Sequence, residues 1–299
     1  MKADTGRAAR SIAPWVRRAR GRLSEDELEA LRWAHGKLEH PSLAARLSDY
    51  VGEPIEGLGK LLPDAARHRL AKLAEFSIRR ALDFALVSLG RRTAAAQRNQ
   101  VRASDLTHKA VAAASGALGG FLGPVTLAVE LPLATLLMLR SIADIARSQG
   151  EDLSSLAGRL ACVEVFALGG RSHGDDATDT GYYGLRAAIG LHFSGVVETA
   201  VGGTITIPLA VNMVRGIAAR FGVVVSDKLA LQMVPVMGAA SGALVNLVFM
   251  QHFQDVAHGH FMVRRLERRH GRDAVRRAYE RVAAERSAAL AEYSRLEGW

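Results

Sequence analysis

With 299 residues, the chain is long enough for one large domain or two small ones, and a hydrophobic share of 49% supplies a core that needs no covalent staple. Aromatic residues make up only 6% while glycine occurs 29 times, so the apolar content is mostly Ala, Leu and Val, a composition that favours packed helices over a β-sandwich. A formal charge of +9 and a pI near 10.2 point to anionic partners, but nucleic acid is set aside: zinc-finger spacings and an aromatic RNP-like strand are absent, and rings for base stacking are few.

Taken in chain order, residues 1–23 read as a basic, flexible arm carrying Arg7, Arg10, Arg17, Arg18, Arg20 and Arg22. No apolar run before Ser24 resembles a secretory signal. Ser24, followed by Glu25, Asp26 and Glu27, predicts a helix start, with a side-chain acceptor at the cap and acids in the first turn. Leu28, Leu31, Trp33 and Ala34 supply its apolar positions. Pro41 and VGEPIEG punctuate the next stretch, and Pro63 with Asp64 opens a helical pattern that continues to Leu89.

The middle of the chain holds three charge-poor segments: Ala110 to Val129, continued after Glu130 by LPLATLLML; Thr199 to Val214; and Leu229 to Gln254. The first and third are long enough to span a bilayer, but Gly116, Gly119, Gly120, Gly123 and Pro124 interrupt the first, and Pro208 and Pro235 interrupt the others. Gly116 and Gly120, Gly119 and Gly123, and Gly238 and Gly242 stand four apart, so each pair clears one helix face for close packing against a second helix. The lone Cys162 lies in the apolar run LACVEVFAL and is read as a small buried hydrophobe in a reducing compartment. RSHGDDATDTGYYGLR reads as a loop, and its Asp175, Asp176 and Asp179 lack the EF-hand pattern. At the end, Val275, Tyr279 and Val282 recur at i, i+4 and i+7 on a charged amphipathic helix. The expected fold is therefore mainly α: a multi-helix bundle with glycine-rich, close-packed apolar central helices, organised as a basic arm over 1–23 and a single helical domain over 24–299.

Four blocks carry a family resemblance: LEHPSLAARLSDYVGEPIEGLGKLLP, GALGGFLGPVTLAVELPLATLLMLRSIADIARSQGED, GYYGLR, and VPVMGAASGALVNLVFMQHFQDVAHGHFMVRRLERRHG. Together they resemble the EcsC family over about residues 37–271. The last block is the most specific, because several polar residues recur in it at fixed offsets. The resemblance implies a bacterial protein, kin to one encoded beside an ABC-transporter operon, and implies no particular reaction. One departure is Glu130 before Leu131 and Pro132, where the pattern leads one to expect Asp; the charge is kept and the reach is longer.

Polar groups embedded in apolar segments are costly unless paired, and so mark internal networks or working sites. Here they are Glu130, Arg140, Asp144, His192, Glu198, Asn246, His252, Asp255, His258 and His260. Arg140 and Asp144, four apart, predict an ion pair, and Asn246 a cap or bridge between helices. On an unbroken helix His252 and Asp255 share a face while His260 lies roughly 12 Å further along and His258 points away, so a shared metal would need a break at Gly259. HExxH, paired ExxH, GxxxxGK[ST] and GxSxG are all missing. Accordingly no metal and no cofactor is predicted. Arg264, Arg265, Arg268 and Arg269 are the predicted anion-binding residues, with Glu267 positioned to pair with Arg264.

These features lead first to a cytoplasmic helical protein at the inner face of the membrane, partnered by an anionic lipid surface or a membrane protein of the transporter kind. The rival is a soluble, hydrolase-like enzyme built on Glu130, Glu198, His252, Asp255 and His260, with metal dependence as one variant. A third reading is a membrane-permeabilising effector whose helices rearrange and insert. Self-association to a homo-oligomer is left open by the sequence.

Overall fold

A computed structural model describes residues 22–39, 60, 62–89, 127–170, 181–190, 207–232 and 239–297. Among these the regular elements are helical, and none is a strand. In order they are α1 (Glu25–Glu39), α2 (Asp64–Phe84) with a π-helical extension (Ala85–Leu89), α3 (Leu127–Ser148), α4 (Leu156–Leu168), α5 (182–190), α6 (Ile207–Gln232), α7 (Ala239–His270) and α8 (Arg272–Glu297). The fold is a helical bundle. Its contacts group into two compact units, one of Met1–His35 with Met262–Trp299 and one of Gly36–Phe261.

In the first unit α1 begins with a reciprocal cap. The Glu27 N–H donates to Ser24 Oγ at 3.3 Å, and the Ser24 N–H donates to Glu27 Oε2 at 3.0 Å, so two backbone donors that the helix leaves over are satisfied together. Leu31 and Ala34 are fully buried, whereas Trp33, two positions from Leu31 and therefore on the far side of the helix, is 46% exposed. Val275, Tyr279 and Val282 of α8 are buried as their spacing predicts, and the Tyr279 ring lies 4.8 Å from that of His35. Gly271 separates α7 from α8 with φ of 89°, a conformation that a side chain would strain.

In the second unit α2 buries Leu70, Ala74, Ile78, Ala81 and Leu82 at helical spacing and packs against α3 and α6. α4 in turn packs on α3 and α6. Pro208, expected to interrupt its segment, falls in the first turn of α6, where no helical hydrogen bond is lost, and the helix continues to Gln232. Phe166, Phe221, Phe249 and Phe253 form one cluster, in which five ring pairs have centroids between 5.3 and 6.2 Å apart. Each such pair contributes about 1 kcal/mol beyond the area it buries.

Small residues do set close approaches here, at the end of α4. A methyl added to Gly169 would stand 2.6 Å from Phe253 Cε1, and one added to Gly170 would stand 2.4 Å from the backbone oxygen of Arg220. Of the glycines predicted to pair, Gly116, Gly119, Gly120, Gly123 and Gly238 lie outside the described residues; Gly242 lies within α7, its surroundings likewise outside them. Among the described residues, no helix is long and apolar enough to cross a membrane.

Candidate functional site

α7 is the element on which the second unit's polar chemistry converges. From Val248 to Ala257 its side chains are almost all buried, on every side of the helix, so each polar group along it must find a partner inside the protein. The helix runs unbroken through Gly259, which leaves His260 about one and a half to two turns beyond Asp255 and His252 instead of folded back upon them.

The N-terminal end of α7 meets a buried ion pair. Lys228 of α6 is fully buried and donates from Nζ to Glu130 Oε1 of α3 at 3.0 Å; Asn246 of α7 donates from Nδ2 to the same oxygen at 3.1 Å. The ammonium also lies 4.9 Å from the centroid of the Phe249 ring. Burial pulls the Lys228 pKa below its ordinary 10.5, and the charge and hydrogen bond of Glu130 oppose that pull. Asn246 thus bridges helices.

Further along, His252 Nε2 is 2.8 Å from the carbonyl oxygen of Gly169. A carbonyl can only accept, so that nitrogen carries the proton. Gln254 donates to Ser141 Oγ of α3 at 2.8 Å, and Asp255 accepts from Lys37 Nζ at 3.1 Å and from Gln251 at 2.8 Å. His260, also fully buried, has Nδ1 2.9 Å from the Tyr182 hydroxyl of α5 and Nε2 3.8 Å from Glu164 Oε2 of α4. At 3.8 Å the carboxylate is a charged neighbour of Nε2 beyond hydrogen-bond distance, and the phenol is the group hydrogen-bonded to Nδ1. Arg186 Nε lies 4.0 Å from Glu164 Oε1 and its guanidinium is 5.6 Å from the Tyr182 ring centroid. The Tyr182 N–H donates to Glu39 Oε1 at 2.8 Å.

Glu130, His252, Asp255 and His260 therefore each have their own partners on different elements, and Glu198 lies outside the described residues, as does His192. Among the described residues, no group of three or more His, Cys, Asp or Glu is arranged to hold a metal ion. Arg140 is exposed, and Asp144 accepts from Arg147 at 2.7 Å. His258 is half-buried, and Cys162 is buried. In the first unit Arg265, Arg268 and Arg269 are exposed and Arg264 half-buried. Arg269 donates to Glu27 at 2.8 Å, with His270 Nε2 2.9 Å from the other oxygen. Burial disfavours the charged form of Glu27, yet the hydrogen bonds from His270, Ser24 and Arg269 outweigh it and hold the carboxyl at about 2.

Several of these groups escape a reading of the sequence. Glu164 is a charge inside LACVEVFAL, the same signal that marks Glu130, and Lys228 borders an uncharged segment. Tyr182 belongs to GYYGLR, where a neutral phenol beside a second tyrosine carries no charge to make it conspicuous. The model of the EcsC protein family matches residues 25–266. No curated protein matches the chain, and no solved structure does.

Proposed function

We propose, for a chain that belongs to the EcsC protein family, that it works as a peripheral protein at an anionic membrane surface, on the cytoplasmic face. The observation that carries this reading is the number of exposed arginines in the first unit: Arg265 and Arg268 near the end of α7, and Arg272, Arg277 and Arg281 on α8. Arg269 and Arg276 are drawn to Glu27 and Glu280 at 2.8 Å each. Each cation held near an anionic leaflet adds about 1 kcal/mol, and the attraction decays within a Debye length. A membrane protein with an acidic cytoplasmic surface would use the same residues. The test is cosedimentation of the full chain with phosphatidylcholine vesicles with and without phosphatidylglycerol. Binding that requires the anionic lipid, weakens with salt and falls in R265Q/R268Q/R272Q supports the reading; equal recovery with both vesicles overturns it.

One observation favours a second reading, a hydrolase-like enzyme. Glu164, His260 and Tyr182 stand in the order carboxylate, imidazole, hydroxyl, the arrangement by which a base is oriented and an oxygen activated. Hydrolysis of model esters that is abolished in Y182F and in H260Q, with both variants still folded at the assay temperature, would support it. Turnover equal to that of a boiled sample would remove it.

A further inference from the structure

The outward side of α2 is a single stripe that differs from an ordinary solvated face. On the side of the helix axis that carries Phe76, exposed residues recur at helical spacing from Arg69 to Val87. Four are cations, Arg69, Lys72, Arg79 and Arg80; one is an acid, Asp83; and two are large apolar residues, Phe76 at 46% and Val87 at 59% exposed. The opposite side carries the buried Ala74, Ile78 and Ala81, so the stripe cannot be turned inward without losing the core of the unit.

Of the other charges of this helix, one acid is paired off the stripe and one is shared between the stripe and α6. Asp64 is paired with Arg67, and Glu75 lies 3.4 Å from Arg79 and 3.9 Å from Arg215 of α6. Arg80 is 5.3 Å from the Phe76 ring centroid, so its stem and guanidinium cover part of the ring without hiding it. Apolar side chains flanked by long cations whose heads can extend past them suit the boundary between acyl chains and phosphates: the rings and methyls enter, and the cations reach the headgroups. A soluble acidic protein would satisfy the cations but leaves two exposed apolar residues unexplained.

We infer that the outer stripe of α2 is a lipid-contacting face, with Phe76 and Val87 as shallow anchors and Arg69, Lys72, Arg79 and Arg80 binding anionic headgroups. It rests on the reading that the chain binds an anionic bilayer, and adds a contact surface in the second unit separate from the arginines of the first.

The experiment uses the full chain and phosphatidylcholine vesicles with and without phosphatidylglycerol. K72Q/R80Q should lower partitioning into the anionic vesicles about thirtyfold, and F76S about tenfold, with helicity and melting temperature unchanged because all three positions are exposed. Cys162 is buried, so an environment-sensitive dye coupled to Phe76→Cys reports that position; its emission should shift to the blue with anionic vesicles alone. Failure of the wild type to prefer anionic vesicles removes the underlying reading and this face with it. Anionic binding that survives in both α2 variants but is lost in R265Q/R268Q/R272Q keeps the reading and overturns the face. Equal loss of affinity for vesicles and for a single-stranded oligonucleotide in K72Q/R80Q, with F76S unaffected, would make the stripe a general polyanion surface and overturn the assignment to lipid.

Discussion

Removing Lys228 tests the energetics of the buried pair most directly. The ammonium is fully buried, its carboxylate partner is only 9% exposed, and Asn246 donates to the same oxygen, so K228M strands a charge whose remaining partner is a neutral amide. Breaking such a pair from one side costs about 3–5 kcal/mol. For a chain of this length that lowers the melting temperature by roughly 6–20 °C. Replacing both groups, as K228M/E130L, exchanges the pair for apolar volume and leaves only Asn246 short of an acceptor, at about 1–2 kcal/mol. The double variant should therefore be more stable than K228M alone. E130Q adds a pH signature. With the carboxylate gone, burial lowers the Lys228 pKa unopposed, the unfolded chain binds a proton that the folded chain does not, and stability rises with pH from that lowered value up to the ordinary 10.5. Urea unfolding followed by far-ultraviolet circular dichroism, across a pH series, measures all three variants. A K228M/E130L loss as large as or larger than that of K228M, or a K228M loss under about 1 kcal/mol, would refute a coupled buried pair.

The remaining predictions concern smaller contacts. The Glu27 carboxyl, held at about 2 against an ordinary 4.5, contributes stability that is complete above 4.5 and is lost as pH falls from there towards 2. E27Q should cost about 1–2 kcal/mol at neutral pH, after allowance for solvent screening, and flatten the acid limb of the tryptophan fluorescence, which reports on the first unit through Trp33. Gly170→Ala, facing backbone at 2.4 Å, should cost about 3 kcal/mol, and Gly169→Ala, facing a ring edge at 2.6 Å, somewhat less; a melting curve unchanged in either variant contradicts the close approach. Y182F should cost about 1 kcal/mol and move the His260 Nδ1 resonance in nitrogen NMR; an unmoved Nδ1 signal would deny the 2.9 Å contact.

Local signals in the sequence account for much of the helical framework. The Ser24 cap, the start at Pro63 and Asp64, and the Val275, Tyr279 and Val282 face depend on neighbours within two turns, and each is read from adjacent residues. Trp33 and Pro208 show where local reading misleads: an apolar residue next to a buried one on a helix need not share its face, and a proline stops a helix only when it is not at the start. The polar groups of α7 are legible as embedded, because an apolar setting makes any charge conspicuous. Their partners are not. Lys37 is 218 positions from Asp255, Tyr182 is 78 from His260, and Asn246 is 116 from Glu130, distances at which spacing carries no information.

That pattern of partners also bears on what the polar residues of α7 contribute. Asn246 is matched to α3, His252 to the turn after α4, Gln254 to α3 again, Asp255 to the end of α1, and His260 to α5 and α4. An apolar helix buried on all sides has several registers of similar burial, one turn or about 5.4 Å apart. A slip of one turn would separate these contacts together, each leaving buried donors or acceptors at a cost of about 1–3 kcal/mol. Spread over several neighbouring elements, they select one axial position for α7, and with it the geometry in which Glu164, His260 and Tyr182 meet.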